Sequence, residues 1–116
     1  MKRMGIIIVL VAIAFPVLAL RGNPENGKRL YAAKCQSCHG KKGDGKGSAG
    51  KALIPKPTDF TDVKALAGKT DADLIRAIKE GGRAVGKSPI MGAYGKQFKD
   101  EEYDDLVAFI RTFTKK

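Results

Sequence analysis

The sequence predicts an all-α fold with long loops, and three observations lead to this prediction. Several segments open with residues that commonly cap helices, and the last segment carries an apolar stripe at helical spacing. No segment shows the sustained apolar–polar alternation that is typical of a half-buried β-strand. Two stretches rich in glycine or proline, Gly40 to Pro57 and Gly81 to Lys99, separate the helical segments and are interpreted as loops.

The first two predicted helices begin at capping residues. An asparagine, a proline and an acid at residues 23–25 form a helix start, so we expect a helix that runs through Tyr31 into Cys35. A Thr-Asp pair at residues 61–62 predicts the start of a short helix that ends at Gly68.

The last two predicted helices are amphipathic. A Thr-Asp pair at residues 70–71 predicts the start of one helix, and the glycines at 81–82 predict its end. One face of that helix carries Leu74, Ile75 and Ile78. We expect Asp100 to cap the final helix. The apolar stripe of this helix consists of Tyr103, Leu106, Val107 and Ile110.

Residues 1–19 have the layout of a secretory signal peptide. A short basic start precedes an uncharged, almost wholly aliphatic run from Gly5 to Leu20. Small residues near the end of the run predict cleavage after Ala19, which leaves residues 20–116 as the folded domain. An uncleaved membrane anchor is the alternative, although the run is short for a span of about 20 residues. Either interpretation places the domain outside the cytoplasmic membrane, in the periplasm or otherwise exported.

The predicted domain is small and strongly basic. Removing Lys2 and Arg3 with the signal lowers the formal charge from +10 to +8. Domains of this size often need a metal, a disulfide or a cofactor in addition to their own core. Because the chain has no Trp and few aromatic residues, we expect something other than side chains to fill the centre.

The run Cys35-Gln36-Ser37-Cys38-His39 is a C-x-x-C-H motif, the attachment signal for c-type heme. Two cysteines at this spacing can each bond one vinyl group on the same edge of a porphyrin, and the histidine can then ligate the iron. A thioredoxin-like redox pair would be expected near a βαβ pattern, which is not visible. A structural zinc site needs four ligands, but the chain offers two Cys and one His.

The chain resembles the class I, mono-heme cytochromes c over almost all of its predicted domain. The resemblance rests on the heme motif followed by Gly40, and on weaker features in the same order as in that family. These features are Gly27, Tyr31, Gly43-Asp44-Gly45, Gly47, Pro57, Asp59-Phe60, a loop around Met91 and the run from Leu106 to Arg111. The resemblance implies a small cytochrome c fold of three to five helices, with long loops wrapped around one covalent heme c.

The resemblance also implies a methionine as the second axial ligand of the iron, opposite His39. Met1 and Met4 lie in the predicted signal, so Met91 is the only methionine of the domain. His39 is the only histidine, which leaves no second histidine for this role. One departure from the family is Gly92, which stands where many relatives have a proline and leaves the backbone less constrained.

Further roles follow from the resemblance. An axial histidine usually donates its second ring N–H to a fixed acceptor, and the resemblance points to a proline carbonyl, with Pro55 the first choice and Pro57 the second. Gly27 and Tyr31 on the first helix, together with Phe109 on the last, are expected to form the contact at which these helices cross.

These features predict a carrier of single electrons between respiratory redox partners, and not an enzyme. With His39 and Met91 on the iron, no axial position is left for a substrate, and the methionine thioether favours ferrous iron. Two alternatives stay open: a heme enzyme or gas sensor in which Met91 is displaced, and a subunit that is permanently docked in a larger respiratory complex.

Lysines surround both ligand segments in the sequence and predict a redox partner with an acidic docking surface. Those near the motif are Lys41, Lys42, Lys46, Lys51 and Lys56, and those near Met91 are Lys87, Lys96 and Lys99. The alternative is that these lysines only keep the domain soluble. Nucleic acid is not an expected partner of an exported protein.

Overall fold

The computed structural model describes residues 2–13 and 22–114. Residues 2–13 have exposed side chains and no regular secondary structure. The predicted cleavage site after Ala19 lies outside the described residues. Within the described parts of the chain, no helix has the length and apolar content needed to cross a membrane.

The described residues form five α-helices, one short 3₁₀ helix and no strand, which confirms the predicted all-α class. In chain order, the α-helices are α1 (Pro24–Lys34), α2 (Gln36–His39), α3 (Val63–Leu66), α4 (Asp71–Glu80) and α5 (Asp100–Thr112). The 3₁₀ helix, Gly82–Val85, follows α4 directly, and neither it nor α2 was predicted as a separate element. Long irregular segments connect α2 to α3 and the 3₁₀ helix to α5.

Helices α1 and α5 cross at close range. A Cβ atom on Gly27 would collide with the backbone carbonyl of Asp105 and lie 2.8 Å from the Cβ of Phe109. Glycine is therefore the residue that lets these two backbones approach. Beside this point, the rings of Tyr31 and Phe109 meet edge to face with centroids 5.1 Å apart. The predicted crossing contact of Gly27, Tyr31 and Phe109 is confirmed.

The apolar stripe of α5 supplies much of the core. All four of its predicted residues are buried, and Leu106 is fully excluded from solvent. The rest of the buried apolar core consists of Leu30, Tyr31, Phe60, Leu66 and Ile78. On α4, Ile78 is buried, whereas Leu74 and Ile75 are partly buried and pack against this core.

The helix starts agree with the capping pattern except at α5. The side chain of Thr70 caps α4 by accepting from the N–H of Asp73 at 3.1 Å, as the sequence predicts. Asp100 was predicted to cap α5, but it is the first helical residue and Lys99 is the N-cap. The cap N–H of Lys99 donates instead to the Glu102 carboxylate at 3.1 Å. The start of α5 is therefore stabilised by a glutamate inside the helix that accepts from the N-cap N–H, and not by an aspartate at the N-cap.

Candidate functional site

The C-x-x-C-H motif forms a single helical turn directly after α1. Cys35 ends α1 and precedes α2, so the chain changes direction at the motif. The carbonyl of Cys35 accepts from the N–H of His39 at 2.9 Å and from that of Cys38 at 3.3 Å. This turn directs Cys35, Cys38 and His39 to one cavity, which all three line.

Cys35 and Cys38 are not joined to each other by a disulfide bond. Burial, and then the neighbouring Cys38, raises the pKa of Cys35 to about 11. The reactive cysteine of a dithiol redox pair is instead held at a lowered pKa. Together with the absence of strands in the described residues, this argues against the thioredoxin-like alternative.

The loop after α2 folds back and fixes the motif from behind. The N–H of Gly45 donates to the His39 carbonyl at 2.9 Å, and that of Gly47 donates to the Cys38 carbonyl at 3.1 Å. The buried hydroxyl of Tyr31 donates to the Gly40 carbonyl at 2.6 Å. Backbone and side-chain hydrogen bonds therefore hold the motif in place without using either cysteine sulfur.

The His39 imidazole lies against an aromatic ring and lacks a well-formed hydrogen bond. Its Nδ1 atom is buried and makes no well-formed hydrogen bond among the described residues, so neither Pro55 nor Pro57 accepts from it. The Thr58 backbone, which directly follows Pro57, acts on this ring as a weak hydrogen-bond acceptor. Burial lowers the pKa of His39, and the Thr58 backbone opposes that shift. The face of the imidazole stacks on Phe60 with centroids 4.6 Å apart.

Residues 88–94, here called the methionine loop, bring Met91 to the same cavity. The Met91 carbonyl accepts from the N–H of Gly82 at 3.0 Å, which ties the loop to the 3₁₀ helix. Further along the loop, the N–H of Tyr94 donates to the Ile78 carbonyl at 2.9 Å. The Tyr103 hydroxyl also donates to the Tyr94 carbonyl. The loop is thus anchored to the rest of the fold at Met91 itself and at Tyr94.

The cavity has a volume of about 410 Å³, within the usual range of about 300–1,000 Å³ for ligand and cofactor sites. Its apolar lining comes from the loop after α2 and from α3, α4 and α5, and it includes Leu53, Phe60, Leu66, Leu74, Ile78 and Ile110. A flat apolar group that carries a metal ion fits this lining, because Cys35, Cys38, His39 and Met91 present sulfur and nitrogen donors to it. The residues present therefore fit the heme that the motif predicts.

The charged residues that line the cavity are almost all cationic, and only some of them were predicted. They are Lys34, Lys56, Lys69, Arg76 and Lys87, with Asp73 as the single acid. Three predicted lysines, Lys41, Lys42 and Lys46, line a separate groove with Ser37 and Asp44. Lys51, Lys96 and Lys99 line neither of these two cavities.

Sequence reasoning missed Lys34, Lys69 and Arg76 at the cavity. Lys34 stands directly before the motif, so adjacency was a usable signal. Lys69 lies two residues before α4 and Arg76 lies in the middle of it, and both are far in sequence from the predicted ligands. Only the packing of α4 beside the cavity brings these two side chains near the predicted ligands.

The fold and the motif together define the class of this protein: a small all-α domain with an attachment motif for c-type heme. The family model for cytochrome c matches residues 24–114. The chain therefore belongs to the cytochrome c family, whose members carry covalent heme and transfer electrons.

A curated relative and several solved structures are similar to this chain. Cytochrome c-554(547) from Halothiobacillus neapolitanus is 29% identical over 93 residues, which cover 78% of this chain and 97% of the relative. The KustC0563 c-type cytochrome is 28% identical with a TM-score of 0.59, over 75% of this chain and 95% of that chain.

Two further structures extend the comparison. A chain of the reducing HAO-like protein complex from Kuenenia stuttgartiensis is 27% identical with a TM-score of 0.64, over 80% of this chain but only 43% of that chain. Cytochrome c6 from the diatom Phaeodactylum tricornutum is 21% identical with a TM-score of 0.56, over 81% of this chain and 97% of that chain. At that identity, the diatom protein supports the fold alone.

Proposed function

We propose that this protein is an electron carrier with one heme, attached through Cys35 and Cys38 and ligated by His39 and Met91. The observation that carries the proposal is that all four residues line one apolar cavity, although Met91 lies more than fifty residues after the motif. The family supplies the general function, and the shared cavity supports the proposed ligand set.

Each residue has a defined task in this proposal. The thiols of Cys35 and Cys38 add across two vinyl groups, so that each sulfur gains a carbon bond, its proton passes to the other vinyl carbon, and no group leaves. The heme supplies a one-electron change between ferrous and ferric iron. Met91 would hold the iron through its thioether, which favours the ferrous state, and His39 would supply the nitrogen ligand. The apolar lining excludes water and so limits the reorganisation that accompanies the charge change.

Attachment is tested by the intact mass of the purified holoprotein. The expected mass is the processed chain plus one heme, with no thiol available for alkylation. Replacing both Cys35 and Cys38 with Ala should yield a protein from which any heme extracts into acidic organic solvent. Free extraction of heme from the wild-type protein would contradict the proposal.

We further propose that residues 1–19 direct export and are removed, so that the carrier works in the periplasm or an equivalent location. The layout of the segment supports this proposal. N-terminal sequencing of the native protein should begin at or near Leu20. Recovery of Met1 in a membrane fraction would favour the anchor instead.

The redox partner is proposed to have an acidic surface. The support is the excess of cations around the cavity, where an electron would enter or leave. Opposite charge on the partner accelerates encounter and aligns the two proteins.

A second candidate role is that of a subunit held permanently in a larger assembly. It is favoured by the likeness to part of a longer chain in the Kuenenia stuttgartiensis complex. Size-exclusion chromatography of the native extract, monitored at the heme absorbance, separates the two roles. A carrier elutes as a small protein, whereas a subunit elutes with its complex.

A further inference from the structure

The ring of Phe60 forms a fixed wall against His39. The two rings are stacked, with centroids 4.6 Å apart and planes 16° apart. Phe60 is 8% exposed, and its N–H donates to the Gly43 carbonyl at 2.7 Å. The ring of Phe113 is also nearly parallel to it, with centroids 6.3 Å apart. Phe60 is therefore buried, packed against two aromatic rings and anchored through its backbone.

His39 is anchored by its backbone but not by its second ring nitrogen. Its N–H donates to the Cys35 carbonyl at 2.9 Å, which fixes the main chain but does not set the plane of the imidazole. An axial histidine is usually oriented by a hydrogen bond from the nitrogen that does not bind the metal. In His39 that atom, Nδ1, makes no well-formed hydrogen bond among the described residues, and the Thr58 backbone interacts with it only weakly. The stack on Phe60 is the close, well-defined contact on the ring plane.

We propose that Phe60 is a positioning residue that sets the plane of the His39 imidazole, and through it the electronic state of the ferric iron. The proposal rests on the heme function proposed above. The direction of an axial imidazole plane determines which iron orbitals mix with the porphyrin. It is therefore visible in the order and spread of the heme-methyl proton resonances, and in the g values of a low-spin ferric protein.

The test compares the purified ferric holoprotein with three variants by proton NMR and electron paramagnetic resonance. Phe60→Leu should change the order or spread of the heme-methyl shifts and move the g values, because the stacked wall is lost. Phe60→Tyr keeps the stack and should retain both signatures. Phe98→Leu is the matched control, since Phe98 stacks on Tyr94 with centroids 5.9 Å apart and makes no described aromatic contact with His39.

Each outcome decides the proposal. Wild-type signatures in Phe60→Leu overturn it, and so does an equal change in Phe98→Leu, which would report general loosening of the core. If Phe60→Leu does not accumulate as holoprotein, Phe113→Leu replaces it, because that change removes the second aromatic ring packed against Phe60. A smaller change of the same kind then supports the proposal, and an unchanged spectrum overturns it. A wild-type protein without any low-spin heme signal would overturn the proposed ligand set itself, which is a distinct failure.

Discussion

Gly86 and Gly92 lie on either side of Met91 and have equal free space but different backbone conformations. A Cβ atom added at either position would meet no other atom within 4 Å. Gly86 has a φ of +73°, a conformation that costs other residues about 1–2 kcal/mol. Gly92 lies outside that left-handed region. Gly86 is therefore required by geometry, whereas Gly92, the departure from the family pattern, is not.

Replacing these glycines with alanine should have opposite effects. Gly92→Ala should raise the free energy of unfolding by about 0.4–1 kcal/mol, because it restricts only the unfolded chain. Gly86→Ala should lower it by about 1 kcal/mol or more, because the alanine is strained in the folded state. Guanidinium unfolding of the holoproteins, followed by helical circular dichroism, measures both. Destabilisation by Gly92→Ala would show that the methionine loop needs glycine for a reason beyond its backbone conformation.

At the scale of single residues, the sequence identifies the residues proposed to bind the heme but not the residues that hold them in position. Cys35, Cys38 and His39 are adjacent, so a local motif suffices, and Met91 follows from the family pattern and from being the only methionine of the domain. Phe60 reaches His39 only because the loop after α2 folds back. No local pattern specifies that return, and the family pattern pointed to prolines where the structure has no acceptor.

Between helices, Asp105 holds the start of α1 against α5. Its carboxylate is almost completely buried and accepts from the N–H of Asn23 at 2.6 Å and from the side-chain amide of Asn26 at 2.7 Å. Asn23 is also the N-cap of α1. One side chain therefore joins a helix start to the helix that crosses it, next to the contact made by Gly27.

Removing that carboxylate should destabilise the protein clearly. Asp105→Ala loses two hydrogen bonds to a charged group, each worth about 1.5–3 kcal/mol, so we expect a loss of about 2–4 kcal/mol once relaxation is included. Asp104→Ala is the matched control, because Asp104 is the preceding residue of α5 and its side chain has no hydrogen bond to any described residue. Chemical denaturation of the holoproteins gives both values. Equal losses would show that Asp105 acts only through helix propensity.

The sequence predicted the existence of α1, α3, α4 and α5, and it predicted most of their boundaries. Capping residues and apolar spacing are local, which explains the agreement at α1 and α4. At α5, the side chain of Glu102 determines the start from three residues inside the helix, so Asp100 was taken for the cap. The Gly82–Val85 turn carries no periodic pattern, and its hydrogen bond with Met91 depends on tertiary structure.

Across the whole molecule, positive charge is divided between two surfaces. Lys69 and Lys87 line the heme cavity, whereas Lys42 lines the groove behind the motif. Because Lys42 is near the motif in the sequence, it was grouped with the other lysines on one docking surface. The loop after α2 instead directs Lys42 to a different groove. The two surfaces can be separated experimentally.

Reversing charge at the cavity should slow electron transfer to an acidic partner more than reversing it at the groove. We expect Lys69→Glu combined with Lys87→Glu to lower the second-order rate constant at low ionic strength by roughly tenfold or more. Lys42→Glu should have a much smaller effect. Stopped-flow rates should also fall as salt increases, since the Debye length is about 10 Å at 0.1 M. Rates that do not depend on salt would mean that these lysines serve solubility only.

The central claim is that Met91 and His39 both bind the iron and leave it no open axial position. The most direct measurement is the optical spectrum of the ferric protein at neutral pH, recorded beside that of Met91→Ala. The wild-type protein should be low-spin with a sulfur-to-iron charge-transfer band. Met91→Ala should lose the band, bind carbon monoxide when reduced, and have a lower reduction potential. A wild-type protein that is already high-spin and binds carbon monoxide rapidly would contradict the claim and favour a ligand-binding or peroxidase function.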